Sequence, residues 1–121
     1  MSTAAIDKSV PLHARLRTAL SAAMKTHDRS AIAGLRSALG AIDNAEAIDT
    51  VDIEAGAIES SAVGLGAAEA RRRELTEADI EQIVRAEISD RQQAAAEYDT
   101  LGGSHHGDLL RAEAAALAAQ L

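Results

Sequence analysis

The sequence predicts an all-α domain of four helices, packed as two antiparallel helical hairpins with a long irregular connection between helices 2 and 3. Apolar residues make up 47% of the 121 residues, which is enough for one core and a single domain over 1–121. Most of them are alanine, Phe and Trp are absent and Tyr occurs once, so the core must be aliphatic and the helices must approach closely. In four segments the apolar positions recur at steps of three and four residues, the period of a helix with one buried face.

Helices 1 and 2 are predicted at 10–26 and 29–46, and together they form the first hairpin. Ser9 is placed to cap helix 1, and Pro11 is tolerated in its first turn. Asp28 is placed to cap helix 2 after the break KTHDRS, and two helices joined so closely should run antiparallel. The predicted buried stripes are Leu12, Leu16, Leu20, Ala23 and Met24 in helix 1, and Ile32, Leu35, Leu39 and Ile42 in helix 2.

The segment 47–75 is predicted to be an acidic connection rich in Gly, Ala and Ser that lies outside the bundle. Its branched apolar residues are too scattered for a pair of strands, and residues 49–70 contain five acids and no base. Connections of this length are uncommon in compact domains, and they are either functional or tolerated surface loops. Both interpretations stay open for this segment.

Helix 3 is predicted at 76–101 and begins the second hairpin, 76–121. Thr76 and Asp79 form a capping-box pattern directly before an apolar stripe. Gly102 is suited to the left-handed conformation that ends a helix. The stripe consists of Ile80, Val84, Ile88, Ala95 and Tyr98.

Helix 4 is predicted at 105–120, with Ser104 as its cap. Its stripe consists of Leu110, Ala114, Leu117 and Leu121. Because this stripe continues to the last residue, we expect Leu117 and Leu121 to pack against a further surface. That surface would be a protein partner, a second copy of the chain or a further part of the domain, so helix 4 is a candidate site of self-association or protein binding.

The sequence lacks the motifs that mark common catalytic and ligand-binding sites. There is no Cys, no Gly-rich phosphate loop leading from a strand into a helix, and no nucleophile elbow around a Ser. His105 and His106 are neighbours that face different ways on a helix, which disfavours a shared metal ion. The pairs Glu81–Arg85 and Glu87–Arg91 have the spacing of ordinary intrahelical ion pairs. We therefore predict a protein without catalytic, cofactor-binding or metal-binding residues.

The net charge of −7 disfavours general binding of polyanions, but the charge is unevenly distributed. Residues 1–48 contain six bases and four acids and form the net basic part of the chain. Such a surface could contact phosphates, although without Phe or Trp we expect no platform for stacking single-stranded bases. The candidate contacts to RNA or to a protein partner are Arg15, Lys25, Arg29 and Arg36, together with Arg71, Arg72 and Arg73.

Three consecutive arginines, 71–73, precede the start of helix 3, where the helix dipole disfavours cations. They therefore need another partner, either a phosphate backbone or the acids of the neighbouring connection. We favour the second alternative, in which the arginines hold the acidic segment on the bundle. The N-terminus contains no unbroken apolar segment of a signal peptide, and no apolar run approaches the roughly 20 residues that cross a bilayer. We accordingly expect a cytoplasmic protein that does not enter the membrane.

Two segments resemble the GatB/YqeY domain family. LRTALSAAMKTHDRSAIAGLRSALGAIDNAEA (16–47) is similar to the opening of the family, which has a helix ending in AMK, a polar break with Asp, and an alanine-rich helix of the type LxAIxNxE. The segment 74–117 is similar to its second half, with an LT cap, a long helix ending in Tyr, a glycine turn and a helix of the LLRAEA type. The two segments occur in the order and orientation of the family.

The resemblance implies an all-helical domain related to the C-terminal tail of the B subunit of the tRNA-dependent amidotransferase. In that enzyme, a carbon–nitrogen ligase with glutamine as amido donor, the catalytic centres lie in other domains and subunits while the tail helps to hold the tRNA. The resemblance thus implies a non-catalytic module whose partner is tRNA or the tRNA-amidation machinery. The sequence departs from the family in two ways. Its connection at 47–75 is longer and more acidic, and we expect the family's second helical subdomain to be absent.

Overall fold

The computed structural model describes residues 6–60 and 74–121, which contain four α-helices and no strand. They are α1 (Leu12–Thr26), α2 (Arg29–Ser60), α3 (Glu77–Thr100) and α4 (Ser104–Ala118). This confirms the predicted all-α fold. The ends of α1, α3 and α4 agree with the predicted ends to within two residues.

Contacts between distant residues define the two ends of the bundle. The start of α1 lies beside the start of α3, since the carboxylate of Glu77 accepts a hydrogen bond from the amide of Leu12. The end of α4 lies beside the same turn of α1, since Arg15 donates to the carbonyl of Gln120. The opposite end, which we name the turn end, therefore contains the α1–α2 turn at 27–28 and the α3–α4 turn at 101–103. Both hairpins are antiparallel, and α2 runs parallel to α4.

The core between these helices is aliphatic, as the composition predicts. It lies along one face of each helix, and α2 packs against all three other helices. Alanines occupy fully buried positions at Ala38 and Ala95, which lets the helix backbones approach closely. The largest fully buried side chains are Leu12, Leu16, Leu35, Ile42, Val84 and Leu117.

Helix α2 corrects the prediction for the segment after residue 46. The helix continues to Ser60, whereas an irregular connection was expected from 47 onward. The apolar periodicity does end near Asn44, but a helix needs such a stripe only where it packs against a core. The segment 47–60 contains no Pro and a single glycine, Gly56, so its residues can extend a helix that has already formed. The rest of the predicted connection, apart from residues 74 and 75, lies outside the described residues.

Three of the predicted helix signals are confirmed and two are wrong. The carboxylate of Asp28 accepts from the amide of Ala31 at 3.2 Å, and Thr76 forms a capping box with Asp79. Gly102 has the predicted positive φ, 79°. Ser9 does not cap α1, because its amide and hydroxyl both donate to Asp7. The cap position of α4 belongs to Gly103, and Ser104 is the first residue of the helix.

The start of α1 is capped by a side chain from another helix. Pro11 occupies the cap position and offers no side-chain acceptor. The two carboxylate oxygens of Glu77, the first residue of α3, lie 3.1 and 3.3 Å from the amide nitrogen of Leu12. A negative charge at this end of a helix also interacts favourably with the helix dipole. Glu77 thus joins the two hairpins at the end opposite the turn end.

Replacing Glu77 with alanine should destabilise the protein by about 1 kcal/mol, the usual cost of losing a helix cap. Thermal unfolding followed by circular dichroism measures this loss, and hydrogen exchange should increase at Leu12 and the amides that follow. Glu77→Gln keeps an oxygen acceptor and should lose less than Glu77→Ala. Equal stability of Glu77→Ala and the wild type would contradict the capping role.

The apolar stripe of α4 faces the inside of the bundle. Leu117 is fully buried and Ala114 is 3% exposed, while Leu121 is partly buried against the same core. The stripe is therefore covered by the protein's own helices, and a protein partner or second copy at helix 4 stays a prediction. The stripe is covered because α4 packs against both α2 and α3, which the local spacing of its leucines cannot indicate.

Candidate functional site

In the second hairpin, each arginine of the described residues is engaged by carboxylates. Arg85 pairs with Glu81 at 3.1 Å, as its spacing predicts. Arg111 of α4 pairs with Asp99 of α3 and with Asp108, the latter at 2.9 Å. These pairs leave the surface of α3 and α4 with little uncompensated positive charge.

Arg91 is the centre of a polar cluster that links three helices. Its Nε donates to Glu113 of α4 at 2.9 Å and its Nη1 donates to Glu87 at 3.2 Å. The hydroxyl of Ser37 in α2 donates to the same Glu87 oxygen at 2.6 Å. The three charged side chains are each at most 20% exposed. Because these hydrogen bonds join side chains of α2, α3 and α4, the cluster holds the three helices together.

The basic residues of the first hairpin are arranged differently. Arg17, Lys25, Arg29 and Arg36 are exposed, and none of them forms an ion pair within the described ranges 6–60 and 74–121. Arg29 and Arg36 are seven residues apart on α2, which places them on one face about 10 Å apart along the helix axis. Lys25 lies in the last turn of α1, next to the start of α2. We name Lys25, Arg29 and Arg36 the basic face.

Arg15 and the arginine run do not belong to the basic face. The Nε and Nη2 of Arg15 donate to the carbonyl of Gln120 at 3.1 and 2.9 Å, and its Nη1 donates to the carbonyl of Val10. Its guanidinium thus serves mainly to hold the end of α4 against α1. Residues 71–73 lie outside the described residues, so both of their predicted partners stay predictions.

Beside Arg15 lies an open cleft of about 420 Å³ with largely apolar walls. The side chain of Asp7 at its rim has its pKa lowered from the ordinary value, because the hydroxyl and then the amide of Ser9 donate to the carboxylate and Arg15 lies nearby. The lining residues are Ile6, Asp7, Val10, Arg15, Thr18, Ala19, Ala22 and Gln120. The lining thus combines mainly apolar side chains with one carboxylate, of Asp7, and one guanidinium, of Arg15.

Neither His105 nor His106 belongs to a group of three potential metal ligands in the described part of the chain. Both side chains are exposed. The ring of His106 lies against the ring of Tyr98, with centroids 4.2 Å apart and planes tilted by 48°. The spacing of residues within α3 or α4 does not predict this contact between the two helices.

Two further contacts that organise the molecule were also missed by sequence reasoning. Leu12 and Glu77 are 65 residues apart, and Arg15 and Gln120 are 105 residues apart. A local pattern predicts only partners within one or two turns of a helix. For the Leu12–Glu77 contact, the only local indication was that Pro11 has no side-chain acceptor at the cap position of α1. The first amides of the helix then need an acceptor from elsewhere in the chain.

Among the described helices, none is both long enough and apolar enough to cross a membrane. No protein-family model matches the chain, no curated protein is significantly similar to it in sequence, and no solved structure has a significantly similar fold. The features of the chain that bear on its function are therefore the charges and contacts of the described residues.

Proposed function

We propose that the protein is a non-catalytic helical module that binds tRNA through the basic face of Lys25, Arg29 and Arg36. Its relation to the tRNA-dependent amidotransferase is part of this proposal and depends on the resemblance of 16–47 and 74–117 to the GatB/YqeY family. The module would hold RNA for a catalytic partner and carry out no amidation itself.

The observation that supports RNA binding is the contrast between the two hairpins. The arginines of α3 and α4 are paired with carboxylates, whereas the cations of the basic face have no partner among residues 6–60 and 74–121. In a chain of net charge −7, acids are abundant enough to pair with these cations if pairing were their role. Exposed Lys and Arg without carboxylate partners are what contact with a phosphate backbone requires.

The test is the salt dependence of tRNA binding, measured by fluorescence anisotropy with a labelled tRNA. Replacing Lys25, Arg29 and Arg36 together with glutamine should weaken binding at low salt. It should also reduce the slope of log affinity against log salt by roughly 2 to 3, because each lost phosphate contact removes somewhat less than one released counterion. Circular dichroism should show unchanged helix content, since these exposed side chains form no hydrogen bond or ion pair among the described residues.

A matched pair of single variants separates a local contact from the loss of net charge. Arg36→Gln and Arg85→Gln change the charge equally, but Arg85 is paired with Glu81 and lies in the other hairpin. We expect Arg36→Gln to weaken tRNA binding and Arg85→Gln to leave it nearly unchanged. Equal effects of the two variants, or no tRNA binding by the wild type, would contradict the proposal. Glutamine-dependent amidation of charged tRNA by the protein alone would contradict its non-catalytic part.

A further inference from the structure

The exposed large apolar side chains are concentrated towards the turn end. In the described parts of the chain these side chains are Val10, Met24, Tyr98, Leu101 and Leu109. Met24 belongs to the last turn of α1, Tyr98 and Leu101 flank the end of α3, and Val10 lies at the opposite end of the bundle. Leu101 is 82% exposed and Met24 is 46% exposed. A single exposed leucine is common on a monomer, whereas apolar side chains gathered at one end of a molecule indicate a contact surface.

The end of α3 combines this apolar surface with an unpaired carboxylate. The amide of Leu101 donates to the carbonyls of Glu97 and Tyr98 at 3.2 and 3.1 Å, so Leu101 follows both residues by one helical turn. Glu97 is exposed, and its carboxylate forms no ion pair within the described part of the chain. We name Glu97, Tyr98 and Leu101 the acidic patch.

The other charged residues of the α3–α4 turn also leave it negative. Asp99 and Asp108 both pair with Arg111, so one cation compensates two carboxylates. Glu97 adds a third negative charge, for which the described residues supply no basic partner. This turn therefore favours contact with a positively charged surface.

The α1–α2 turn, at the same end of the molecule, has the opposite charge. Lys25 and Arg29 flank it, and both are exposed and unpaired among the described residues. Asp28 is engaged by α2, since its carboxylate accepts from the amide of Ala31. Met24, next to Lys25, adds an exposed apolar side chain. Each turn thus combines apolar surface with charge, and the two charges differ in sign.

We propose that the turn end is the contact surface of a homodimer, in which two copies of the chain meet end to end about a two-fold axis. Such an axis makes every contact occur twice, so the acidic patch of each copy faces Lys25 and Arg29 of the other. A surface that carries both charges is complementary to a second copy of itself, whereas a purely basic or purely acidic partner would match only one turn. Because Lys25 and Arg29 also belong to the basic face, dimerisation competes with the proposed RNA binding but does not depend on it.

Analytical ultracentrifugation of the wild-type protein without RNA measures the association. The end of a four-helix bundle is about 20 Å wide, which gives less than a standard interface, so the dimer should be weak and should become more populated as concentration rises. Added salt should weaken it by screening the charges. A protein that stays monomeric up to about 500 µM, or that forms assemblies larger than a dimer, would overturn the proposal.

An exchange of charges identifies the contact. Glu97→Lys alone, and Lys25→Glu together with Arg29→Glu, should each give a monomer, because like charges then face each other in both halves of the interface. An equimolar mixture of the two variants should dimerise again, because opposite charges face each other in both halves. Arg36→Glu, about two turns from Arg29 on α2, should associate as the wild type does. If the mixture stays monomeric, or if Arg36→Glu is as disruptive as Glu97→Lys, the proposed contact is wrong.

The apolar part of the contact is tested separately. Leu101→Ser should weaken dimerisation roughly tenfold, because it removes the most exposed of these apolar side chains from the interface. Val10→Ser, at the opposite end of the bundle, should leave dimerisation unchanged. Circular dichroism should show wild-type helix content for both variants, since neither side chain is buried. Equal association of Leu101→Ser and the wild type would contradict a contact at the turn end.

Discussion

Replacing Arg91 with methionine should lower the free energy of unfolding by about 2 to 3 kcal/mol. The side chain of Arg91 is 13% exposed and donates to Glu87 and Glu113, whose side chains are 20% and 19% exposed. Without the guanidinium, two poorly hydrated carboxylates face each other between α3 and α4. Urea denaturation followed by circular dichroism measures the change.

Two comparisons isolate the effect of the buried charge. Arg85→Met removes an ion pair whose side chains are 61% and 53% exposed, and it should cost less than about 0.5 kcal/mol. Replacing both glutamates with leucine in the Arg91→Met protein should recover much of the lost stability, because no uncompensated charge is then left between the helices. A loss in Arg91→Met no larger than that in Arg85→Met would show that the cluster does not stabilise the three-helix contact.

Gly34→Ala should destabilise the protein by about 2 kcal/mol, because α2 and α4 touch at this glycine. An added Cβ would lie 2.9 Å from the carbonyl oxygen of Glu113 and 3.3 Å from its Cβ. The oxygen belongs to the backbone of α4 and cannot rotate away, so the two helices must move apart. The midpoint of thermal unfolding should fall accordingly.

Gly40→Ala is the matched control on the same helix. A Cβ added at Gly40 meets no atom within 4 Å. The substitution should therefore stabilise the protein by about 0.5 to 1 kcal/mol, since alanine loses less backbone entropy than glycine in a helix. If both variants change the unfolding midpoint in the same direction, the close approach of α2 and α4 at Gly34 is wrong.

The fold was predictable where its determinants are local. The starts of α2 and α3 follow from Asp28 and from the Thr76–Asp79 box, because a cap acts within one turn of the helix it begins. The prediction was wrong in the second half of α2, where loss of the apolar stripe was taken as the end of the helix. A stripe shows where a helix is buried, whereas helix propensity decides whether it continues.

The candidate site was likewise predictable from the sequence only in part. The sequence shows that the first hairpin is basic, but it assigns Arg15 and Arg36 the same role. In the structure, Arg15 is bound to carbonyls at the ends of α1 and α4 while Arg36 is unpaired in the described part of the protein. Tyr98 was predicted as one more position of a buried stripe, yet it is 39% exposed and its ring contacts that of His106 in α4.

By itself, the sequence determined the all-α class, the period of each buried face, two of the caps and the uneven distribution of charge. Each of these depends on interactions among residues at most a few turns apart. The tertiary structure alone decided that Glu77 caps α1, that the stripe of α4 is core, and that the ring of Tyr98 meets that of His106. These contacts depend on the relative lengths and crossing of whole helices, which the spacing of residues within any one helix does not specify.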